Sequence, residues 1–202
     1  IFYKYDFNKK KFLRKRYNIN LSNKVILYMG RMDIEKGILD LLDSFKIISD
    51  KYKNIILLLV GRDEMDINNK LELSYKTIKE KIIYLDHNNS PNEIYNLADI
   101  FCIPSTREGF GNVVIEALAC GCAVMTSDNT GVGGDLLEDA PSNFGAVLPR
   151  TPEIWANWLE AWLQQPQRAG TQSALWAAQR FSSSAVAKQA IAIYQDILEA
   201  HR

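Results

Sequence analysis

A chain of 202 residues holds one well-filled core, or one domain with an appendage. Lys+Arg and Asp+Glu balance at 24 each, which excludes a global field drawing the protein to nucleic acid or an anionic membrane. The 47% hydrophobic and 24% charged content is that of a soluble globular protein, and no apolar run reaches the roughly 20 residues of a membrane span.

The opening "IFYKYDFNKKKFLRKRYNI" carries aromatics and a basic cluster without a sheet pattern. Residues 1–20 are therefore read as a connecting arm with solvated charges, ahead of a domain over 21–202. Short apolar runs and helical patterns then alternate, as in βαβ units with a parallel sheet. "KVILYMG" (24–30) is a first strand, followed by a helix from Ile38 to about Tyr52 with Leu41, Leu42, Phe45 and Ile48 at helical spacing. "NIILLLVG" (54–61) reads as a strand covered on both faces. Residues 68–80 read as a polar, exposed helix, and "KIIYLD" (81–86) as a third strand.

Ser90-Pro91-Asn92-Glu93 has the chemistry of a helix start: Ser as N-cap, Pro in the first turn and Glu at the capping-box position. That helix runs to about Ala98, before a fourth strand "DIFCIPS" (99–105). A helix opening near Gly111 or Asn112 leads to a fifth strand, "CAVMTSD" (122–128). After the glycine loop "NTGVGGD" comes a short sixth strand, "GAVLPR" (145–150). Helices are expected from Pro152 to about Gln165, from Ala169 to Phe181 and from Ser183 to Ala200. Trp155, Trp158 and Trp162 form a stripe of core-packing residues, and Cys102, Cys120 and Cys122 read as reduced, buried thiols of a cytosolic protein.

Ligands of an open parallel sheet bind at the carboxyl ends of its strands. Three loops there carry chemistry. In "GRMDIEKG", Arg31 and Lys36 stand beside a helix amino terminus opened by Gly37, a combination suited to a diphosphate, although loop cations are also commonly just solvated. In "TREGFGNVVIEALAC", Glu108 precedes a helix and Glu116 lies one turn inside it. A ligand across that turn meets a carboxylate at each end, roughly 10 Å apart. Ionised carboxylates accept paired hydrogen bonds from vicinal hydroxyls, so two sugar rings joined by a diphosphate suit the spacing. An acidic residue near a helix's positive end is also favourable with no ligand at all. The third loop, Thr130 with Gly131 to Gly134, borders the same cleft or is simply a turn.

Taken together, Gly30-Arg31…Lys36-Gly37, Glu108-Gly-Phe-Gly-Asn-Val-Val-Ile-Glu116, the Gly-Val-Gly-Gly loop, "LADIFCIPS" and "RFSSSAVAKQAIAIYQDIL" resemble the group 1 glycosyltransferases, over about residues 20–200. The resemblance implies a retaining, family 4 enzyme of the GT-B fold. This chain would be its carboxyl-terminal donor domain, an α/β Rossmann-like doubly wound parallel sheet of about six strands with carboxyl-terminal helices. By the same resemblance, Arg31 and Lys36 neutralise the diphosphate of a UDP- or GDP-sugar, Glu116 holds the ribose, and Glu108 meets the transferred sugar. Gly30, Val113 and the amides of Gly109, Phe110, Gly111 and Asn112 complete the donor site. No metal and no cofactor beyond the donor itself is expected.

The implied partners are a glycan or lipid-linked acceptor and an amino-terminal GT-B domain absent from this chain. The implied location is the cytoplasm, at the inner face of the membrane with at most peripheral association. The chain alone is expected to be inactive. The pattern departs from the family at Asp86-His87-Asn88, where a glycine is common, and at Asp135-Leu-Leu-Glu138, which replaces Pro-Glu. Two other readings are a nucleotide-sugar-binding module without turnover and a GT-B-fold epimerase or phosphorylase. An epimerase would want acid–base groups beyond His87 and His201.

Overall fold

The computed structural model describes residues 2–86, 88, 90–108, 111–128, 131, 136–165 and 170–200. Six parallel strands form one sheet: β1 (Lys24–Met29), β2 (Ile55–Val60), β3 (Ile82–Leu85), β4 (Ile100–Ile103), β5 (Ala123–Ser127) and β6 (Gly145–Leu148). Their order is β3-β2-β1-β4-β5-β6, so the chain winds outward from β1 to one edge and then returns to build the other half. Register is fixed by runs such as Ile26↔Leu57 and Leu27↔Phe101.

Period-two alternation sends side chains to two separate cores. Ile26, Tyr28, Leu57, Leu59, Ile100, Cys102 and Met125 face one layer, whereas Val25, Leu27, Leu58, Phe101 and Val124 face the other. The first layer is covered by α2 (Ile38–Ser49) and α3 (Ile67–Leu73), and by α6 (Pro152–Gln164), which packs on α2. Ile38, Leu41, Leu42, Phe45 and Ile48 of α2 are all buried, each contributing about 1.5–3 kcal/mol over exposure. Trp155 and Trp162 are buried and Trp158 is half-buried against the same core, so the tryptophan stripe is packing.

The second layer is covered by α1 (Phe7–Arg16), α4 (Pro91–Leu97), α5 (Asn112–Ala119) and α7 (Thr171–Phe181). The last helix, α8 (Ser183–Ala200), keeps Ile191, Tyr194 and Leu198 exposed. The three cysteines are free and buried. No described helix is long and apolar enough to cross a membrane.

Three expectations change. Within the stretch read as a connecting arm, residues 7–16 form a helix, capped by the Asp6 carboxylate on the Lys9 amide at 2.9 Å. Its charges are not all solvated. Arg14 is only 3% exposed, donating to Leu97 O at 2.8 Å and to Asp99 at 2.7 Å, and Lys10 reaches Asp99 at 3.0 Å. The helix expected over 68–80 stops at Leu73, and a 3-10 turn at 79–81 leads into β3. Its inner side is not exposed, because Ile67, Leu71, Tyr75 and Ile78 are buried. Finally, Ser90 makes no side-chain cap on α4, and the Glu93 carboxylate pairs with Arg16 instead of closing a capping box.

Candidate functional site

The strand order reverses between β1 and β4, so the loops following these two strands flank the topological switch point. The β1 loop, residues 30–37, delivers Lys36 to this crevice; the β4 loop, residues 104–111, delivers Glu108. The two side chains meet as an ion pair, Lys36 Nζ to Glu108 Oε1 at 2.6 Å, with side-chain exposures of 22% and 19%. Residues 72 positions apart in sequence are thus joined at the place where an open α/β sheet takes its ligand.

Both loops end in a left-handed glycine at a helix start. Gly37 (φ 67°) precedes α2 and Gly111 (φ 70°) precedes α5, and neither helix has a side-chain cap. Among the described residues no acceptor engages the Ile38, Leu39 and Asp40 amides of α2 or the Asn112 and Val113 amides of α5, at the positive end of each helix dipole, an arrangement suited to anions. Gly37 is further constrained by close approach, since a Cβ there would stand 2.0 Å from the Pro104 carbonyl oxygen. Gly37→Ala is expected to destabilise the domain by about 2 kcal/mol, read as a lower urea midpoint with unchanged slope.

The loops are also tied to each other. The Glu35 carbonyl accepts from the Thr106 amide at 2.7 Å and the Thr106 hydroxyl at 2.9 Å. Ser105 donates to Arg107 O at 3.0 Å, and Ser127 of β5 donates to Ser105 O. Within the β1 loop, the Lys36 amide donates to Asp33 at 2.8 Å, while buried Tyr28 donates its hydroxyl to Arg31 O. Burial pushes the Tyr28 phenol far above its ordinary range, so it stays a proton donor at any working pH.

Arg31 stands apart from the Lys36–Glu108 pair. Its side chain is 55% exposed and bridges Asp33 at 3.1 Å and Glu64 at 3.2 Å. It borders a hollow of about 340 Å³ at the carboxyl ends of β1 and β2, lined also by Gly30, Gly61, Arg62, Asn88 and Pro91. A hollow of similar size, about 350 Å³, lies at the opposite, amino-terminal ends of the central strands β1 and β4, beside Lys24, Asp99 and Trp162.

Glu116, half-buried in α5, also makes no contact with that pair. Its Oε2 accepts from the Tyr95 hydroxyl at 2.9 Å. Burial raises the Glu116 carboxyl above its ordinary value, opposed by this hydrogen bond. Asn112 is exposed at the helix start, whereas Val113 packs partly into the second core, leaving its backbone for any ligand contact. Gly109 and Phe110 lie outside the described residues, as do His87, Asn129, Thr130, Val132, Gly133, Gly134 and Asp135. Among the described residues, no group of three or more His, Cys, Asp or Glu side chains is arranged to hold a metal.

Tyr28, Asp33, Thr106 and Tyr95, which hold the loops and Glu116, went unassigned at the sequence level. Only Thr106 carried a local signal, as a hydroxyl residue directly after a strand-ending Pro-Ser.

A doubly wound parallel sheet with a crevice at its switch point defines an α/β domain of the Rossmann-like type. Solved structures agree on this fold. HepE of Anabaena, in complex with UDP, superposes with a TM-score of 0.78 over 96% of this chain and 54% of its own, at 20% identity. The C-terminal domain of the group 1 protein LpcC of Francisella tularensis gives 0.75 over 90% of this chain and 95% of its own, at 21% identity. The family model "Glycosyl transferases group 1" matches residues 9–174, and the chain belongs to that family. Among curated relatives, the capsular polysaccharide biosynthesis glycosyltransferase CapM of Staphylococcus aureus is 36% identical over 133 residues, 64% of this chain and 34% of CapM. The chain thus spans about a third of the length of the curated relatives it matches.

Proposed function

We propose that this chain is the donor-binding domain of a retaining, metal-independent family 4 glycosyltransferase. It holds a UDP- or GDP-sugar for transfer of a hexosyl group to a glycan or lipid-linked acceptor. The observation that carries the reading is the Lys36–Glu108 pair at the switch point, between two helix amino termini that lack side-chain caps. A pyrophosphate entering there exchanges water for Lys36, helix amides and, after release from Asp33 and Glu64, Arg31. These groups stabilise the charge that develops on the departing nucleoside diphosphate, work that a divalent ion does elsewhere. Glu108, already beside Lys36, accepts from hydroxyls of the transferred sugar, and Glu116 from those of the ribose.

The UDP held by HepE supports the nucleotide class, and the naming of CapM for capsular polysaccharide biosynthesis supports a glycan product. The acceptor site belongs to an amino-terminal domain outside this chain, so the domain alone binds without turnover. In the complete protein it works in the cytoplasm, against the inner membrane face.

Calorimetric titration tests the reading directly. Saturable binding of UDP or GDP at micromolar to low millimolar concentration, unchanged by EDTA, is the expected result. Absence of binding for UDP, GDP and ADP at millimolar concentration overturns it.

A further inference from the structure

We propose that Tyr95 is a positioning residue for the donor, fixing the Glu116 carboxylate so that its second oxygen is presented to the ribose hydroxyls. This rests on the donor-site reading above and adds a residue to it.

Tyr95 lies on α4 and is fully buried, yet its hydroxyl reaches out of the core to Glu116 Oε2 at 2.9 Å. Two rings prevent it from swinging away. Phe101 of β4 packs edge-on at 5.5 Å and Phe2 edge-on at 5.7 Å, with interplanar angles of 78° and 75°. Aromatic pairs of this geometry hold a ring in one orientation. The phenol is therefore a fixed donor on a fixed plane. Glu116 by contrast has three rotatable side-chain bonds and, among the described residues, no hydrogen-bond partner other than Tyr95.

A half-buried carboxylate with a single partner has one oxygen committed and one to spare. Burial favours its neutral form, which accepts hydroxyls poorly, and the hydrogen bond from Tyr95 works against that loss of charge. The same helix begins at Pro91, which lines the hollow beside Gly30 and Arg31. A single short helix thus borders that hollow at its first residue and meets Glu116 from its second turn.

The test is titration with UDP or GDP, whichever the wild-type chain binds, alongside the 2′-deoxy nucleotide and inorganic pyrophosphate. Tyr95→Phe keeps the ring and removes only the donor. It is expected to weaken the ribonucleotide about tenfold, the 2′-deoxy nucleotide less, and pyrophosphate less than twofold. In a Glu116→Gln background the same change should add less than twofold, because the hydroxyl acts through the carboxylate. Glu116→Asp supplies a measurement independent of how Tyr95→Phe folds. It keeps the charge but withdraws it from Tyr95 by one methylene, and should lose about as much as Glu116→Gln.

Failure of the wild-type chain to bind any nucleoside diphosphate removes the donor-site reading and this one with it. Wild-type binding combined with an equal loss for ribonucleotide and pyrophosphate overturns the role of Tyr95 alone. So does full additivity with Glu116→Gln, or retention of wild-type affinity by Glu116→Asp.

Discussion

Lys36→Ala is expected to weaken binding of the nucleoside diphosphate about 30- to 150-fold while changing affinity for the free nucleoside less than twofold. Truncating one member of a buried, hydrogen-bonded charge pair costs about 2–5 kcal/mol. The lower half of that range applies to a Lys36–phosphate pair, because the Lys36 side chain is 22% exposed and water reaches the phosphate left without it. About 2–3 kcal/mol corresponds to the stated factor. Calorimetry with the diphosphate and the nucleoside in parallel separates the contributions. Equal losses for both ligands would place Lys36 away from the phosphates.

Asp99→Ala is expected to have the largest effect on stability, about 3–5 kcal/mol, with no direct effect at the switch point. Asp99 stands at the amino-terminal end of the strands, just before the central strand β4. It accepts from Arg14 at 2.7 Å, Lys10 at 3.0 Å and the Val25 amide at 2.9 Å. Without it, Arg14 remains enclosed with its charge unmatched, which is the expensive half of breaking a buried pair. For a chain of this size the melting temperature should fall by roughly 10 °C.

The same carboxylate sets a pH dependence. Burial pushes the Asp99 carboxyl up, but the Lys10 and Arg14 charges and the Val25 amide outweigh burial and hold it below its ordinary value. A depressed folded-state value contributes stability that is complete above the unfolded carboxylate range and disappears as pH falls through the folded value. The gap between wild type and Asp99→Asn should therefore be constant near neutrality and narrow only under acid. A gap that widens in acid would show that the pair is not the source.

Much of the fold was legible because its signals are local. Apolar runs such as Ile55–Val60, ended by Gly61, set strand limits to within a residue or two. The glycines at 37 and 111 marked the helix starts that matter. What escaped notice depends on distant partners. The helix over 7–16 has little apolar patterning; its most deeply set polar group is a guanidinium whose acceptor is 85 residues away. Residues 74–78 imitate a continuing helix because Leu71, Tyr75 and Ile78 fall at helical intervals. The chain instead buries Tyr75 and Ile78 through separate turns, with the Tyr75 hydroxyl on Asp43 at 2.9 Å.

The candidate site divides in the same way. The identities of Lys36 and Glu108 followed from family-like motifs, but their direct pairing did not, since nothing in either loop names the other. Arg31 was expected to join Lys36 at a diphosphate; in the structure the Asp33 and Glu64 carboxylates pair with it. Tyr95 gave no signal in its own helix, where it is one more apolar position packed against the sheet.

The doubled hydrogen bond from Thr106 to the Glu35 carbonyl makes the loops after β1 and β4 a single mechanical unit. Neither can shift without stretching the other, so the spacing between cation and carboxylate is set before any substrate arrives. Preformed sites lose less entropy on association than sites assembled around their ligand. If the site takes a nucleotide sugar as proposed, its selectivity should resemble a fixed gauge, passing donors of one length between phosphate and sugar and penalising those a bond longer or shorter.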